Sequence, residues 1–288
     1  MSGKKTIAET LHESVSVSYA VDDVLYEEAT EHQALSLVRN RLFGKLLMLD
    51  GVVQVTSADE FMYHEMMAHV PLTAHADPKR VLIIGGGDCG LAEEVLKHRR
   101  VQSLTQVEID ASVVDFAREH FAEFNAPVFE DSRFHLQIAD GAAFAATTDE
   151  RFDVILVDST DPIGPGAVLF TREFYRSLGR ILNPGGIVVT QNGVPFLQPD
   201  EFSSAIKGLS SVFSTVRAYL VAVPTYFGGH MTLGWSSQSD VALDVPEPVL
   251  AERAAGIETR YYTPAVHRGA FALPRFIETL LNEAQAGK

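Results

Sequence analysis

The chain has 288 residues, 46% hydrophobic and 21% charged, the proportions of a globular fold with room for a sizeable core. Its 38 acidic against 23 basic residues give a formal net charge of −15, which argues against a nucleic-acid partner, because phosphates need a basic surface. No run of about 18 apolar residues exists to span a bilayer. The first residues lack the apolar core of a secretory signal, and the single cysteine, Cys89, cannot close an internal disulfide, so a cytoplasmic protein without a membrane contact is expected.

Before residue 80 the runs Val15–Tyr19, Ala34–Val38 and Lys45–Leu49 are rich in Val, Leu and Tyr. Turn-prone Val21-Asp22-Asp23 and Leu49-Asp50-Gly51 separate them, which predicts a small antiparallel sheet. Glu60 to Val70 has helical spacing, with Phe61, Met62, Met66 and Val70 apolar. From Arg80 onward strands and helices alternate. Strands are predicted at Arg80–Ile84, Leu104–Ile109, Phe134–Ile138, Phe152–Val157 and Ile187–Thr190, with helices at Leu91–His98, Ala111–Phe121 and Arg172–Leu182. Two last apolar runs, Ala218–Val223 and His230–Trp235, are joined through Gly228-Gly229. That link is too short for a helical crossover and predicts an antiparallel pair. The pattern implies an α/β fold, a Rossmann-like, mostly parallel sheet with helices on both faces. The chain divides into an N-terminal β-strand domain over 1–62 and a Rossmann-like catalytic domain over 63–288.

Ligands of open α/β sheets bind beyond the carboxyl ends of the strands. Here four strand ends carry carboxylates: Asp88 within Gly85-Gly86-Gly87-Asp88, Glu108 and Asp110, Asp140, and Asp158 to Asp161. Gly85, Gly87 and Gly90 satisfy G-x-G-x-x-G, and Glu108 lies 21 residues beyond Gly87, where an acceptor for ribose hydroxyls is expected. A pyrophosphate would meet repulsion from Asp88, whereas the sulfonium and amine of an S-adenosyl compound would be attracted. Asp88 also suits a helix N-cap, and both roles are compatible. Asp110 fits the cap of the next helix, which leaves Glu108 for the ribose. Asp140-Gly141 is either a plain turn or an acceptor for the adenine amine. The stretch Asp158-Ser159-Thr160-Asp161-Pro162-Ile163-Gly164-Pro165-Gly166 combines carboxylates and hydroxyls with a restricted backbone, which suits a lid. His64, His69 and His75 show no zinc spacing, no metal is expected, and no G-x-S-x-G elbow supports a serine hydrolase. Cys89, beside Asp88, is read as an unreactive thiol.

These residues resemble the spermidine synthases, the polyamine aminopropyltransferases, over nearly the whole chain. The likeness is carried by Glu31-His32-Gln33, Leu49-Asp50-Gly51-Val52-Val53-Gln54, Tyr63-His64-Glu65-Met66, GGGD at 85–88, VEID at 107–110, DSTDPIGPG from Asp158, Gln191-Asn192-Gly193 and VPTYFGG. The resemblance implies an S-adenosylmethionine methyltransferase type of fold with a small N-terminal β domain, and a homodimer. It implies transfer of an aminopropyl group from decarboxylated S-adenosylmethionine, a co-substrate, to putrescine, with no cofactor. It further implies Asp158 as the base, and Gln33, Gln54, Glu108, Asp140, Gly141 and Pro165 about the donor nucleoside. Asp88 and His64 are implied at the amine end of the donor or product. Tyr63, Ser159, Thr160, Asp161, Gln191 and Tyr226 are implied along the diamine channel. Three positions depart from the family pattern: Cys89 where glycine is usual, Glu93 where arginine is frequent, and Ala139 where a second aspartate commonly precedes Asp140. The alternatives are an amine methyltransferase on the same fold, a silent binding protein, which intact Asp88, Asp158 and Asp161 argue against, and a nicotinamide dehydrogenase, which Asp88 disfavours.

Overall fold

A computed structural model describes residues 5–12, 14–29, 34–160 and 164–287. Six antiparallel strands come first. β1 (Thr6–His12) pairs with β2 (Val15–Ala20), while β3 (Asp23–Ala29), β4 (Ala34–Asn40), β5 (Gly44–Leu49) and β6 (Val52–Thr56) form a four-stranded sheet in chain order. The single small sheet expected from sequence is thus two sheets, and β1, β3 and β6 were not foreseen. β3 carries Asp23, Glu27 and Glu28, and β6 is five residues long, so neither shows a clean apolar alternation. Asp50 and Gly51, with φ of 50° and 77°, make the left-handed turn that a two-residue hairpin between β5 and β6 needs.

The remainder is built from α1 (Glu60–Ala74), β7 (Arg80–Gly85), α2 (Gly90–Leu96), β8 (Ser103–Glu108), α3 (Ala111–His120), α4 (Ala122–Asn125), β9 (Phe134–Ile138), α5 (Gly141–Thr147) and β10 (Phe152–Asp158). It continues through α6 (Arg172–Ile181), β11 (Leu182–Gln191), α7 (Pro199–Ser210), β12 (Thr215–Val221), β13 (Met231–Ser237), α8 (Glu247–Ala254), α9 (Pro264–Ala270) and α10 (Arg275–Ala286). The seven-stranded sheet has the order β12-β13-β11-β10-β7-β8-β9. β7 to β11 run parallel, and β13 lies antiparallel to both β11 and β12, as the short glycine link required. Asn183-Pro184-Gly185-Gly186 survives as a bulge inside β11: Phe152 faces Leu182, but Val154 already faces Ile187.

Alternate strand residues feed two cores. Val81, Ile83, Val154, Leu156, Ile187 and Val189 pack under α1 and α2, against Met66, Val70, Leu91 and Val95. Leu82, Ile84, Ile155, Val157 and Val188 pack on the other face against Phe174, Leu178, Phe202, Ile206 and Ile277, from α6, α7 and α10. This double burial is why the strands read as continuous apolar runs. The four-stranded sheet rests on the helices after β8: Leu37, Leu47 and Val55 meet Ala117 and Phe121, and Lys45 Nζ pairs with Glu123 at 2.9 Å. The strand order reverses at β7, with β8 on one side and β10 on the other. The crevice beyond their carboxyl ends is therefore the expected ligand site.

Candidate active site

The strand order sets a row of polar groups along one edge of the sheet: Gln191 ending β11, Asp158 ending β10, Asp88 after β7, Glu108 ending β8 and Asp140 after β9. The ends of β7 and β10 are knitted together, with Gly86 N donating to Asp158 O at 3.0 Å. Gly85 has φ +85°, and a Cβ there would lie 2.1 Å from that same carbonyl oxygen, so only glycine fits. Gln106, which the sequence reading passed over, donates from Nε2 to Gly85 O at 3.0 Å and Gly86 O at 2.6 Å, bracing the loop from below. Cys89 adopts φ +61°, which explains why glycine suits this position; the left-handed backbone costs a non-glycine residue about 1 kcal/mol. Its thiol is buried, and burial, then Asp88 and Glu108, pushes its pKa far above the usual range, in keeping with an unreactive group.

Cys89, not Asp88, is the N-cap residue of α2, yet Asp88 still engages the first N–H of that helix. Oδ1 accepts from Gly90 N at 2.8 Å, and Oδ2 lies 3.6 Å from His64 Nε2. Asp110 caps α3 by accepting from Ser112 N at 2.8 Å, as read from sequence, and Glu108 Oε1 accepts from Asp110 N at 3.0 Å. Burial raises the Glu108 carboxyl. Asp140 caps α5 through Oδ1 alone, from Ala142 N at 2.8 Å and Ala143 N at 3.0 Å, and Gly141 begins that helix against Ile84. Two aliphatic side chains missed from sequence flank these carboxylates, Ile109 at 58% and Ile138 at 48% exposure. Open aliphatic groups beside carboxylates offer a surface on which a flat ring can rest. The available signal was an aliphatic residue next to an acidic strand end: Ile109 follows Glu108, and Ile138 comes two residues before Asp140.

Asp158 Oδ1 accepts from Tyr63 Oη at 2.8 Å. Burial raises its carboxyl from 3.8 to about 6; His64 and the tyrosine hydroxyl oppose the rise, while Asp88 and Glu108 add to it. Tyr63 packs edge-to-face on Tyr226, with centroids 5.9 Å apart, and Tyr226 Oη donates to Gln54 O at 2.8 Å. The Gln54 side chain turns back to Val52 O at 3.2 Å. Tyr226 also lines an apolar cavity of about 780 Å³ with Met62, Val223, Pro224, Phe227 and Tyr261. Burial works against a charged His64, yet Asp88, Glu60 and Asp158 outweigh it and hold the imidazole up to about 10. Glu60 Oε2 lies 2.9 Å from His64 Nδ1.

Sequence reasoning also missed two buried tethers. Asp59 accepts from Thr56 Oγ1 at 2.5 Å, Thr225 N at 3.0 Å and Thr225 Oγ1 at 2.7 Å, pinning the loop that carries Tyr226. Glu65 accepts from the backbone N–H groups of Arg260, Tyr261 and Tyr262 at 2.6–2.8 Å. Ser159 and Thr160 follow Asp158 at the mouth of the crevice, and Gln191 is buried at the end of β11. Gln33 and Asp161 lie outside the described residues, as do residues 162–163 of the expected lid and the side chain of Pro165, which sits in the 3₁₀ turn Gly164–Phe170. Among the described residues no group of three His, Cys, Asp or Glu is arranged to hold a metal ion, and no helix is long and apolar enough to cross a membrane.

Comparison with known proteins places this geometry. Residues 60–245 match the spermine/spermidine synthase domain and residues 7–57 the spermidine synthase tetramerisation domain. The chain is 50% identical over 283 residues to a polyamine aminopropyltransferase of Escherichia coli O1:K1 / APEC, covering 98% of both chains. It is 51% identical over 274 residues to that of Ruegeria sp. (strain TM1040), covering 94% of this chain and 96% of the relative. A crystal structure of spermidine synthase in complex with the transition state analogue AdoDATO superposes with TM-score 0.91 at 35% identity, over 97% of this chain and 95% of the other. Spermidine synthase from Thermotoga maritima superposes with TM-score 0.88 at 34% identity, over 96% and 94%. With its crevice of carboxylates and its full length matched in both sequence and fold, the chain belongs to the spermine/spermidine synthase family, the polyamine aminopropyltransferases.

Proposed function

We propose that this protein transfers the aminopropyl group of decarboxylated S-adenosylmethionine to putrescine, with Asp158 as the base. The observation that carries the reading is the Asp158 carboxylate, held at 2.8 Å by Tyr63 and raised to about 6, at the centre of a row of carboxylates. A diamine near neutral pH is doubly protonated, and a protonated amine is no nucleophile. Asp158 takes one proton; the freed lone pair attacks the carbon beside the sulfonium, the new C–N bond forms as the C–S bond breaks, and neutral methylthioadenosine leaves. A carboxyl at about 6 is mostly ionised at neutral pH, yet is a stronger base than an ordinary aspartate. The leaving group is already good, so the protein chiefly aligns two cations and offsets their repulsion.

In this reading Glu108 takes the ribose hydroxyls through the oxygen not bonded to Asp110 N, and Asp140 with Gly141 faces the adenine edge beside Ile109 and Ile138. Gln33, Gln54 and Pro165 complete the nucleoside pocket. Asp88, beside His64, receives the donor's ammonium. Tyr63, Tyr226 and Gln191, with Ser159, Thr160 and Asp161, guide the diamine, whose methylenes suit the apolar face of Tyr226. The division near residue 62, a homodimeric assembly and a cytoplasmic setting belong to the same proposal. Incubation with decarboxylated or ordinary S-adenosylmethionine and a panel of putrescine, cadaverine, agmatine and spermidine tests it by mass spectrometry. The expected product is putrescine carrying one aminopropyl group; a methylated amine, or no product, overturns the proposal.

A further inference from the structure

We propose that Glu60 is a positioning residue of the donor site, holding the His64 ring as an imidazolium with Nε2–H turned toward Asp88 and so setting the charge that Asp88 presents to the donor's ammonium. The inference rests on Asp88 as the ammonium partner. Asp88 Oδ1 is committed to Gly90 N at 2.8 Å, which leaves Oδ2 for ligand, and His64 Nε2 stands 3.6 Å from that oxygen. The opposite ring nitrogen, Nδ1, meets Glu60 Oε2 at 2.9 Å, one helical turn earlier on α1. A carboxylate can only accept, so Nδ1 carries a proton, and Nε2 is the nitrogen presented to Asp88. The pair is dry, with side-chain exposures of 4% for His64 and 8% for Glu60. The ring has little freedom to swing: a Cβ on Gly90 would lie 2.5 Å from both Cε1 and Nδ1, and Phe124 of α4 packs at 6.4 Å.

The charges facing His64 are Glu60 from its own helix, Asp88 from the loop after β7 and Asp158 from the end of β10, three carboxylates about one imidazole; the Tyr63 ring closes another side. Nearby cations are otherwise engaged. Lys97 pairs with Glu93 at 3.0 Å and Glu94 at 2.8 Å, and the Arg260 guanidinium stacks on Phe61 at 3.6 Å. His64 as an imidazolium thus partly neutralises Asp88 and competes for Oδ2 with the incoming ammonium. Removing the Glu60 charge releases the His64 proton at lower pH and unmasks Asp88.

Glu60→Gln keeps an acceptor for Nδ1–H and removes the charge. By NMR titration of the ligand-free full-length protein, His64 should stay protonated through about pH 9 with Glu60 and titrate at least about one unit lower with Gln. Decarboxylated S-adenosylmethionine should then bind the variant about fivefold more tightly at pH 9 than at pH 7, half of the tenfold that one unit of coupling gives once the ring is fully deprotonated, while the unmutated protein shows little change over that window. The window lies above the Asp158 titration at about 6. Combined with His64→Gln, Glu60→Gln should lose its effect on donor affinity, which a merely structural role for Glu60 would not do. An unmoved His64 titration overturns the proposal, as does a shifted titration with no matching change in donor affinity. If the unmutated protein binds no decarboxylated donor, the proposed function fails instead, and the His64 titration still judges the role of Glu60.

Discussion

Asp158 sits at a conflict between folding and chemistry. Its carboxyl is raised from 3.8 to about 6 mainly by burial, so the folded chain binds this proton more tightly than the unfolded chain does. The resulting stabilisation is present below about pH 4 and is lost as pH rises through about 6, which leaves the ionised group a net cost at neutral pH. Asp158→Asn should therefore lower kcat by about 10²–10⁴-fold with donor affinity nearly unchanged, the signature of a group used in the transition state. The same variant should be more stable than the parent at neutral pH, by about 1–3 kcal/mol, and show no such gain near pH 4. Chemical denaturation at the two pH values checks the second half, and an equal shift at both would remove burial of the charge as its cause. Turnover near the normal rate would move the base to Tyr63 or Asp161.

At the scale of elements, the first turns of α1 organise both sides of the crevice. Tyr63 reaches Asp158 and His64 reaches Asp88, with Glu60 behind the His64 ring, while Asp59, just before the helix, holds Thr225 through its N–H and its hydroxyl. Tyr226 is the next residue, and its ring is the wall on which Tyr63 rests. Asp59→Asn turns an amide N–H₂ toward one of these donors. It should cost about 1–3 kcal/mol, the usual penalty for an unmatched buried polar group. It should also raise the KM for putrescine while leaving the KM for the donor close to its parent value, because the loop it frees carries Tyr226, proposed above to guide the diamine. Steady-state kinetics with each substrate varied in turn separates the two; a parallel loss in both constants would show that Asp59 supports the crevice as a whole.

Over the whole molecule, the charge of −15 and the carboxylate row give the crevice a negative field that a dication experiences before contact. Raising ionic strength from about 0.05 to about 0.3 M should reduce kcat/KM for putrescine several-fold while kcat stays nearly constant, since salt screens the approach and not the bound complex. Viscosity and a neutral osmolyte serve as controls. A loss confined to kcat would place the effect on bound species. The seven-stranded sheet makes this field directional: its strand order brings Gln191, Asp158, Asp88, Glu108 and Asp140 into one line along the crevice.

The sequence alone determined the alternation of strands and helices, the antiparallel close of the sheet, the glycine turn and the acidic strand ends. All of these are written in short-range patterns: an apolar run followed by Gly or Asp is visible within a few residues. The edge strands β1, β3 and β6 escaped because one side of each is polar or its run is too short. The helix from Pro199 to Ser210 was legible but not read: Phe202, Ala205, Ile206 and Leu209 stand at i, i+3, i+4 and i+7, the amphipathic spacing. Only the tertiary structure decided which carboxylates stay available. Asp110 is engaged on its helix, Asp140 keeps Oδ2 free of capping, and Asp88 divides its two oxygens. It also decided the contacts that give the site its chemistry, Tyr63 to Asp158 across 95 residues and Asp59 to Thr225 across 166. No local pattern encodes such pairs, because they exist only once strand order and helix packing have brought distant side chains to the same crevice.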